Sequence, residues 1–284
     1  MKKYICYDSG QYFAFNVCDV ESAAAIMDAA AQAGSDIILQ TSMNAFEQLE
    51  KEEFRSYVKS YAKKKQINVY LHLDHCRRME LIHEAVACGW DSVMIDASDR
   101  PLCENIRLTN EVTDAVRKNG VLVEAEVGRI YGQEDEINCA VAGIASIADV
   151  KEFIKNTDVD MIAAAVGTVH GFYTGIPEIH YDIIRAAAEA ADIPFVIHGG
   201  SGLDNEILRK LLSHENVKKI NLSTEVKQAY RQGIEESMRL GYMEKQGFDP
   251  LKVRHMIQDA IRNMAVKKLE LAGKGLRCEN DTCP

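Results

Sequence analysis

The residues best placed to do chemistry close the stretch Val69–Cys76, Val-Tyr-Leu-His-Leu-Asp-His-Cys. An apolar run of strand length ends there in an adjacent acid and imidazole, Asp74 and His75. At the end of a buried strand such a pair can offer a proton acceptor and a metal ligand together. Polar groups in that position need partners, because burying them unpaired costs about 1–3 kcal/mol or more. Taken alone, the stretch reads equally as a structural histidine beside a helix-capping aspartate.

Two further imidazoles change the balance. His170 closes Gly167-Thr168-Val169-His170-Gly171, and His198 opens His198-Gly199-Gly200-Ser201-Gly202. Three protein ligands around an open position is the pattern of a catalytic zinc site, and such a metal can polarise a carbonyl. His72 sits in the body of the strand and reads as a core histidine or a support for a ligand. His83, His214 and His255 fall on expected helices or their ends and read as surface residues, and His180 as a neighbour of a helix start. Glycine lets backbone N–H groups approach an anion, and helix N-termini favour negative charge. The two glycine loops, with Asn221-Leu222-Ser223-Thr224 entering a helix, therefore suggest a phosphate site.

The elements that must carry these residues repeat as a short apolar strand followed by an amphipathic helix. Strands are expected at 12–17, 36–41, 68–74, 91–96, 121–127, 160–166, 194–198 and 217–222. Helices are expected at 20–33, 52–65, 79–88, 104–118, 149–156, 181–190, 204–213, 224–238 and 253–271. Eight strand–helix units without a Pro/Ser-rich linker imply one α/β domain over residues 1–284, a closed (β/α)8 barrel with an additional C-terminal helix. The polar tail from about residue 272 is expected to fray. In such a barrel the C-terminal strand ends line the active site. Asn16, Ser42, Asp74, His75, Asp96, Glu126, His170, His198 and Asn221 all fall at or near those ends. The long stretch from Gly128 to about Ser146 carries Glu134-Asp135-Glu136 and reads as a loop acting as a lid that brings a carboxylate over a substrate.

Composition narrows the class further. The chain has 284 residues, 47% hydrophobic and 27% charged, with net charge −10. That balance disfavours an extended nucleic-acid surface or an anionic membrane as partner, and confines any phosphate binding to a local site. No signal-peptide core or apolar spanning run is evident. Cys6, Cys18, Cys76, Cys88, Cys103, Cys139, Cys278 and Cys283 form no C-x-x-C pair and read as reduced thiols of a cytoplasmic protein. A disulfide or metal clip between Cys278 and Cys283 is the alternative for the last two.

In its ordered motifs the chain resembles the class II, metal-dependent ketose-bisphosphate aldolases, the fructose- and tagatose-1,6-bisphosphate enzymes. The matching runs are Phe-Ala-Phe-Asn-Val (13–17), Leu-His-Leu-Asp-His (71–75), Ser-Val-Met-Ile-Asp-Ala-Ser (92–98) and Val-Glu-Ala-Glu-Val-Gly (123–128). Gly-Thr-Val-His-Gly (167–171), His-Gly-Gly-Ser-Gly (198–202) and Lys-Ile-Asn-Leu-Ser-Thr-Glu (219–225) complete the set. The resemblance implies reversible cleavage of a phosphorylated ketose to dihydroxyacetone phosphate and an aldehyde. It implies one zinc ion per subunit on His75, His170 and His198, and Asp96 and Glu126 as holders of the metal in an alternative, buried position. Asp74 would exchange a proton with the C4 hydroxyl, and Glu134 would move the C3 proton. Gly171, Gly199, Gly200, Ser201, Ser223 and Thr224 would surround the C1 phosphate. Asn221 would contact the dihydroxyacetone part, with Asn16 and Ser42 also on the substrate. Further expectations are a monovalent cation (Na+ or K+), a phospho-sugar as partner, and a homodimer or homotetramer.

One departure concerns the second phosphate. Fructose-bisphosphate members commonly carry Asp-Pro-Arg near the C-terminus, whereas this chain reads Asp249-Pro250-Leu251-Lys252. Leucine cannot make a bidentate phosphate contact, so a ketose 1-phosphate remains open beside a bisphosphate. Competing readings are a metal-dependent hydrolase, which lacks its usual H-x-H on the first strand, and a non-catalytic phospho-sugar-binding barrel.

Overall fold

Strand β1 (Tyr12–Asn16) sets the pattern for the molecule. Tyr12 and Ala14 pack in one buried cluster, Phe13 and Phe15 in another, as period-2 alternation requires. The first cluster fills the barrel and the second lies between barrel and helices. The structure is a computed structural model and describes residues 10–134, 137–139 and 143–272. The expectations for the N-terminal cysteine and for the tail with Cys278 and Cys283 lie outside the described residues.

In chain order β1 is followed by α1 (Val20–Ala33), β2 (Ile37–Ser42), α2 (Met43–Gln48), α3 (Lys51–Lys65), β3 (Val69–Cys76) and α4 (Met79–Ala87). Next come β4 (Ser92–Ile95), α5 (Leu102–Val116) and β5 (Leu122–Val127), then β6 (Tyr131–Glu134), β7 (Ile137–Cys139) and α6 (Ile147–Asn156). The remainder is β8 (Met161–Ala164), β9 (Val169–His170), α7 (Tyr181–Ala190), β10 (Phe195–Ile197), α8 (Asn205–Leu212), β11 (Val217–Leu222), α9 (Thr224–Arg239) and α10 (Pro250–Leu269). The parallel strands close in the order β1-β11-β10-β8-β5-β4-β3-β2. This is the expected (β/α)8 barrel with an added C-terminal helix, α10, which packs on α1 and α9.

Helix limits follow local chemistry. Asp19 and Ser22 form a reciprocal capping box on α1, and Gly34 ends that helix in the left-handed region. α10 starts three residues earlier than the periodicity suggests, because Asp249 caps it and Pro250 fits its first turn.

Two elements differ from expectation. α2 was not foreseen; its six residues are too few to show a helical period, and the Ser42 hydroxyl caps it by accepting from Ala45 N–H. The stretch after β5 is also not simply a loop. β6 and β7 pair antiparallel, and β6 pairs parallel with β9, the two-residue strand that carries His170. Among the described residues no helix is long and apolar enough to cross a membrane, and Cys18, Cys76, Cys88 and Cys103 are free thiols.

Inside the barrel, residues two apart on each strand form levels. Tyr12, Ile38, Tyr70, Met161 and Val196 make an apolar floor. Along β2, β3, β5 and β11, Gln40, His72, Glu124 and Lys219 are buried beside or above that floor, and two residues further on come Ser42, Asp74, Glu126 and Asn221. The side-chain levels of a TIM barrel thus lead from a hydrocarbon base to a polar rim.

Candidate metal centre and substrate rim

The rim is built around a break in β3. Regular strands send adjacent side chains to opposite faces, yet Asp74 and His75 both serve the rim. His75 has φ 46°, a left-handed conformation rare outside glycine, and the β3–β4 register shifts between Leu73 and Cys76. The local cost, of order 1–3 kcal/mol, is carried by the contacts that His75 makes.

Those contacts bring three rings together. Ligand atoms of His75, His170 and His198 lie within 4.8 Å of one another, and all three residues are buried. His75 Nε2 is 2.7 Å from His198 Nδ1, too close for both to carry a hydrogen. In two of the rings the outer nitrogen faces an acid: His75 Nδ1 is 3.3 Å from Asp96 Oδ2, and His198 Nε2 is 2.7 Å from Glu124 Oε1. An N–H donated to each carboxylate leaves the inner nitrogens as lone pairs aimed at a common point. Bonds of about 2.0–2.1 Å from zinc to three such nitrogens would set them about 3.3 Å apart, within the spread of the cluster. The donor set therefore fits a divalent ion of the zinc type.

The acids behind the rings are themselves braced. Glu124 is fully buried, and Lys219 donates to its Oε2 at 2.8 Å. Burial alone would raise its pKa, but the Lys219 charge and the His198 hydrogen bond hold it well below the usual carboxylate range. Asp96 accepts from Ser98 N–H and hydroxyl at 3.1 and 2.7 Å and from Arg77 at 3.2 Å. Against burial, its bond to His75 and these partners keep it ionised. Glu126 is different: burial and the neighbouring Asp96 charge push it up to about 7. His72 reads as neutral, its pKa lowered by burial and then by Lys219, with Nδ1 2.8 Å from Ser92 Oγ.

Asp74 is held by amides. Asn16 Nδ2 and Gln40 Nε2 donate to Oδ2 at 2.9 and 3.2 Å, and Asn221 Nδ2 to Oδ1 at 3.3 Å. Gln40 Nε2 also donates to Asn16 Oδ1 at 2.7 Å. Buried oxygens without a protein partner remain on Gln40, Glu126 and Asn221, the mark of a site that expects another occupant.

The small-residue loops meet beside the rings. A Cβ on Gly199, at φ 69°, would sit 2.4 Å from the Val169 carbonyl oxygen, so the loop tolerates glycine there. Gly171, at φ 105°, would place a Cβ in open space, leaving its backbone approachable. Tyr173 clips the loops by accepting from Val169 N–H at 3.1 Å and donating to the Gly199 carbonyl at 2.7 Å. The Ser201 hydroxyl accepts from Ser223 and Glu225 N–H at 3.1 and 3.2 Å, at the mouth of α9. Gly200 packs against Ile220 and Asn221, and Thr224 begins α9.

Of the residues expected at the site, His75, His170, His198, Asp74, Asn16 and Asn221 are brought together, Asp96 backs His75, and Ser42 pairs in register with Asp74. Glu134 ends β6, and its side chain lies outside the described residues. Sequence reasoning gave no role to Gln40, Glu124 and Lys219. Their signal was the period of two: Gln40 with Ser42, Glu124 with Glu126, Lys219 with Asn221.

A parallel barrel whose rim gathers three imidazoles beside an oriented carboxylate defines a barrel protein with a candidate metal site. The family model described as class II fructose-bisphosphate aldolase matches residues 8–275, and the chain belongs to that family. The Escherichia coli K12 protein YdjI, described as uncharacterized, is 33% identical over 267 residues, spanning 93% of this chain and 92% of its own. The crystal structure of the YdjI aldolase from that organism superposes with TM-score 0.77 at 28% identity, covering 95% of this chain and 94% of the other. A fructose-bisphosphate aldolase structure from Campylobacter jejuni, at 21% identity and TM-score 0.76, covers 95% of this chain and 93% of its own and shares the fold.

Proposed function

We propose that the chain, acting as one catalytic barrel, is a zinc-dependent class II aldolase. It would cleave a phosphorylated ketose reversibly to dihydroxyacetone phosphate and an aldehyde. The observation that carries this reading is the three-imidazole cluster beside an amide-held Asp74. Zinc bound by His75, His170 and His198 supplies a Lewis acid for the C2 carbonyl.

The chain's own groups do the rest. Asp74 takes the C4 hydroxyl proton as the C3–C4 bond breaks and returns it in the condensation direction. Amides of Asn16 and Gln40 on Oδ2 and of Asn221 on Oδ1 fix the orientation of its carboxylate. Glu124 and Asp96 hold His198 and His75 in the tautomers that present inner lone pairs, with Lys219 offsetting the buried charge of Glu124. Backbone N–H groups at Gly171, Gly199 and Ser201, with Ser223 and Thr224 at the α9 N-terminus, receive the C1 phosphate, while the Gly200 N–H holds the loop by donating to the Asn221 carbonyl at 3.0 Å. Glu134 on the hairpin moves the C3 proton. A lysine Schiff base is not needed: Lys219, the lysine buried in the barrel, is engaged by Glu124.

Asp74→Ala tests the reading. The variant should keep stoichiometric zinc and lose at least about a hundredfold in dihydroxyacetone phosphate release, the scale of a lost general base. Near-full cleavage by that variant would overturn the role.

A further inference from the structure

At the foot of the barrel, between α3 and the starts of β3, β4 and β5, lies a cleft of about 600 Å³, the size of a small-molecule site. Asn68 and Val69 line it where β3 begins, Asp91 just before β4, and Gly120 shortly before β5. These are N-terminal strand ends. His75 and His198 stand at the opposite end, near the close of β3 and just after β10. An occupant of the cleft is therefore bound apart from any sugar at the rim.

One wall carries Arg55, Lys59 and Lys63, each four residues after the last on α3. They run beside Phe54, Val58 and Ala62, the stripe that the helix buries. Like charges at that spacing repel and weaken a helix by themselves, a penalty that an anion between them removes. Asp91 is the one carboxylate of the lining among the described residues, and it is already engaged. Its Oδ2 accepts from Lys59 Nζ at 2.8 Å and from the Leu71 N–H at 2.7 Å. Lys59 also donates to the Val69 carbonyl at 2.8 Å. Arg55 and Lys63 remain as excess positive charge, a local reversal of sign in a chain of net charge −10.

Arg55 is held in place before any ligand arrives. Its Nε donates to the Gly89 carbonyl at 3.0 Å. Gly89, at φ 82°, lets the side chain lie so close that a Cβ there would be 2.7 Å from the same nitrogen. The two terminal nitrogens of Arg55 and Nζ of Lys63 have no acceptor among the described residues. A guanidinium fixed through Nε with its outer nitrogens free is a ready fork for phosphate oxygens. Ala62, Ile67, Val69 and Tyr70 add buried apolar surface to the lining. Trp90, the single tryptophan of the chain, also borders the cleft.

We propose that this cleft binds a small phosphorylated molecule, with its phosphate held by Arg55 and Lys63 on α3. The ligand is bound in addition to a substrate at the rim, not in place of it. The site stands whether or not the rim cleaves a ketose phosphate.

The test titrates the full chain with inorganic pyrophosphate at fixed ionic strength and follows the fluorescence of Trp90, which reads the cleft directly. The signal should saturate with a Kd below about 1 mM. Arg55→Lys keeps the charge and loses the fork, and Lys63→Met removes a charge at an exposed position where folding is not at stake. Each should raise that Kd about tenfold. Neither should alter zinc content or the rate of dihydroxyacetone phosphate release. A fluorescence that pyrophosphate leaves unchanged up to about 1 mM overturns the proposal. So does a titration curve that either variant leaves unmoved, as an anion held at the rim would give. Both results leave the aldolase reading intact, and loss of cleavage in the unmodified chain would overturn that reading without touching this one.

Discussion

The barrel interior has an apolar floor and a polar part toward the rim, and the two are held by opposite means. The floor of Tyr12, Ile38, Tyr70, Met161 and Val196 is hydrocarbon and ring surface, with Tyr12 and Tyr70 edge to face at 5.9 Å. Beside and above it, Asp74, Glu124, His198 and Lys219 are as deeply buried, yet each is tied to a polar partner from another part of the barrel. The floor gains from burial without direction, so shape and volume govern it. The upper level carries charge in a low-dielectric place, so each group there depends on its partner.

The comparison is open to attack from both sides. Lys219→Met should be the heaviest blow, because it leaves Glu124 charged and buried without its cation. A loss of about 3–5 kcal/mol in urea unfolding is expected, with much of it recovered on adding Glu124→Gln. Met161→Ala, on the floor, should cost about 2–5 kcal/mol as a cavity, while zinc affinity stays unchanged. Asp96→Asn should do the reverse, leaving the unfolding midpoint nearly in place and weakening zinc about 10–100-fold in a competition titration. Leu251→Ala, exposed at the start of α10, should move stability by no more than about 0.5 kcal/mol.

Much of this was legible beforehand where local chemistry and long-range packing agree. α1 and α7 begin and end where their apolar period does, and α1 is marked by Asp19 and Gly34. The three histidines stood out because each ends a strand or follows one. The β6–β7 hairpin did not, because its glycine and charges read as a lid loop and its partner, β9, comes nearly forty residues later in the chain, Val169 opposite Tyr131. Lys219 and Glu124 were missed for a related reason. A charge in an apolar strand makes sense only against its counterion, here 95 residues away and visible only once the barrel closes. Closure also showed why Asp74 and His75 can be neighbours: the left-handed turn at His75 has no signature in residue type.

The most direct test of the central claim is the rate of dihydroxyacetone phosphate release by metal-stripped protein as zinc is added back. The rate should rise from the uncatalysed level and reach its plateau at one equivalent of zinc per chain. Cleavage that proceeds at full rate in the stripped protein, or that stays absent at saturating zinc across ketose 1-phosphates and 1,6-bisphosphates, would contradict it.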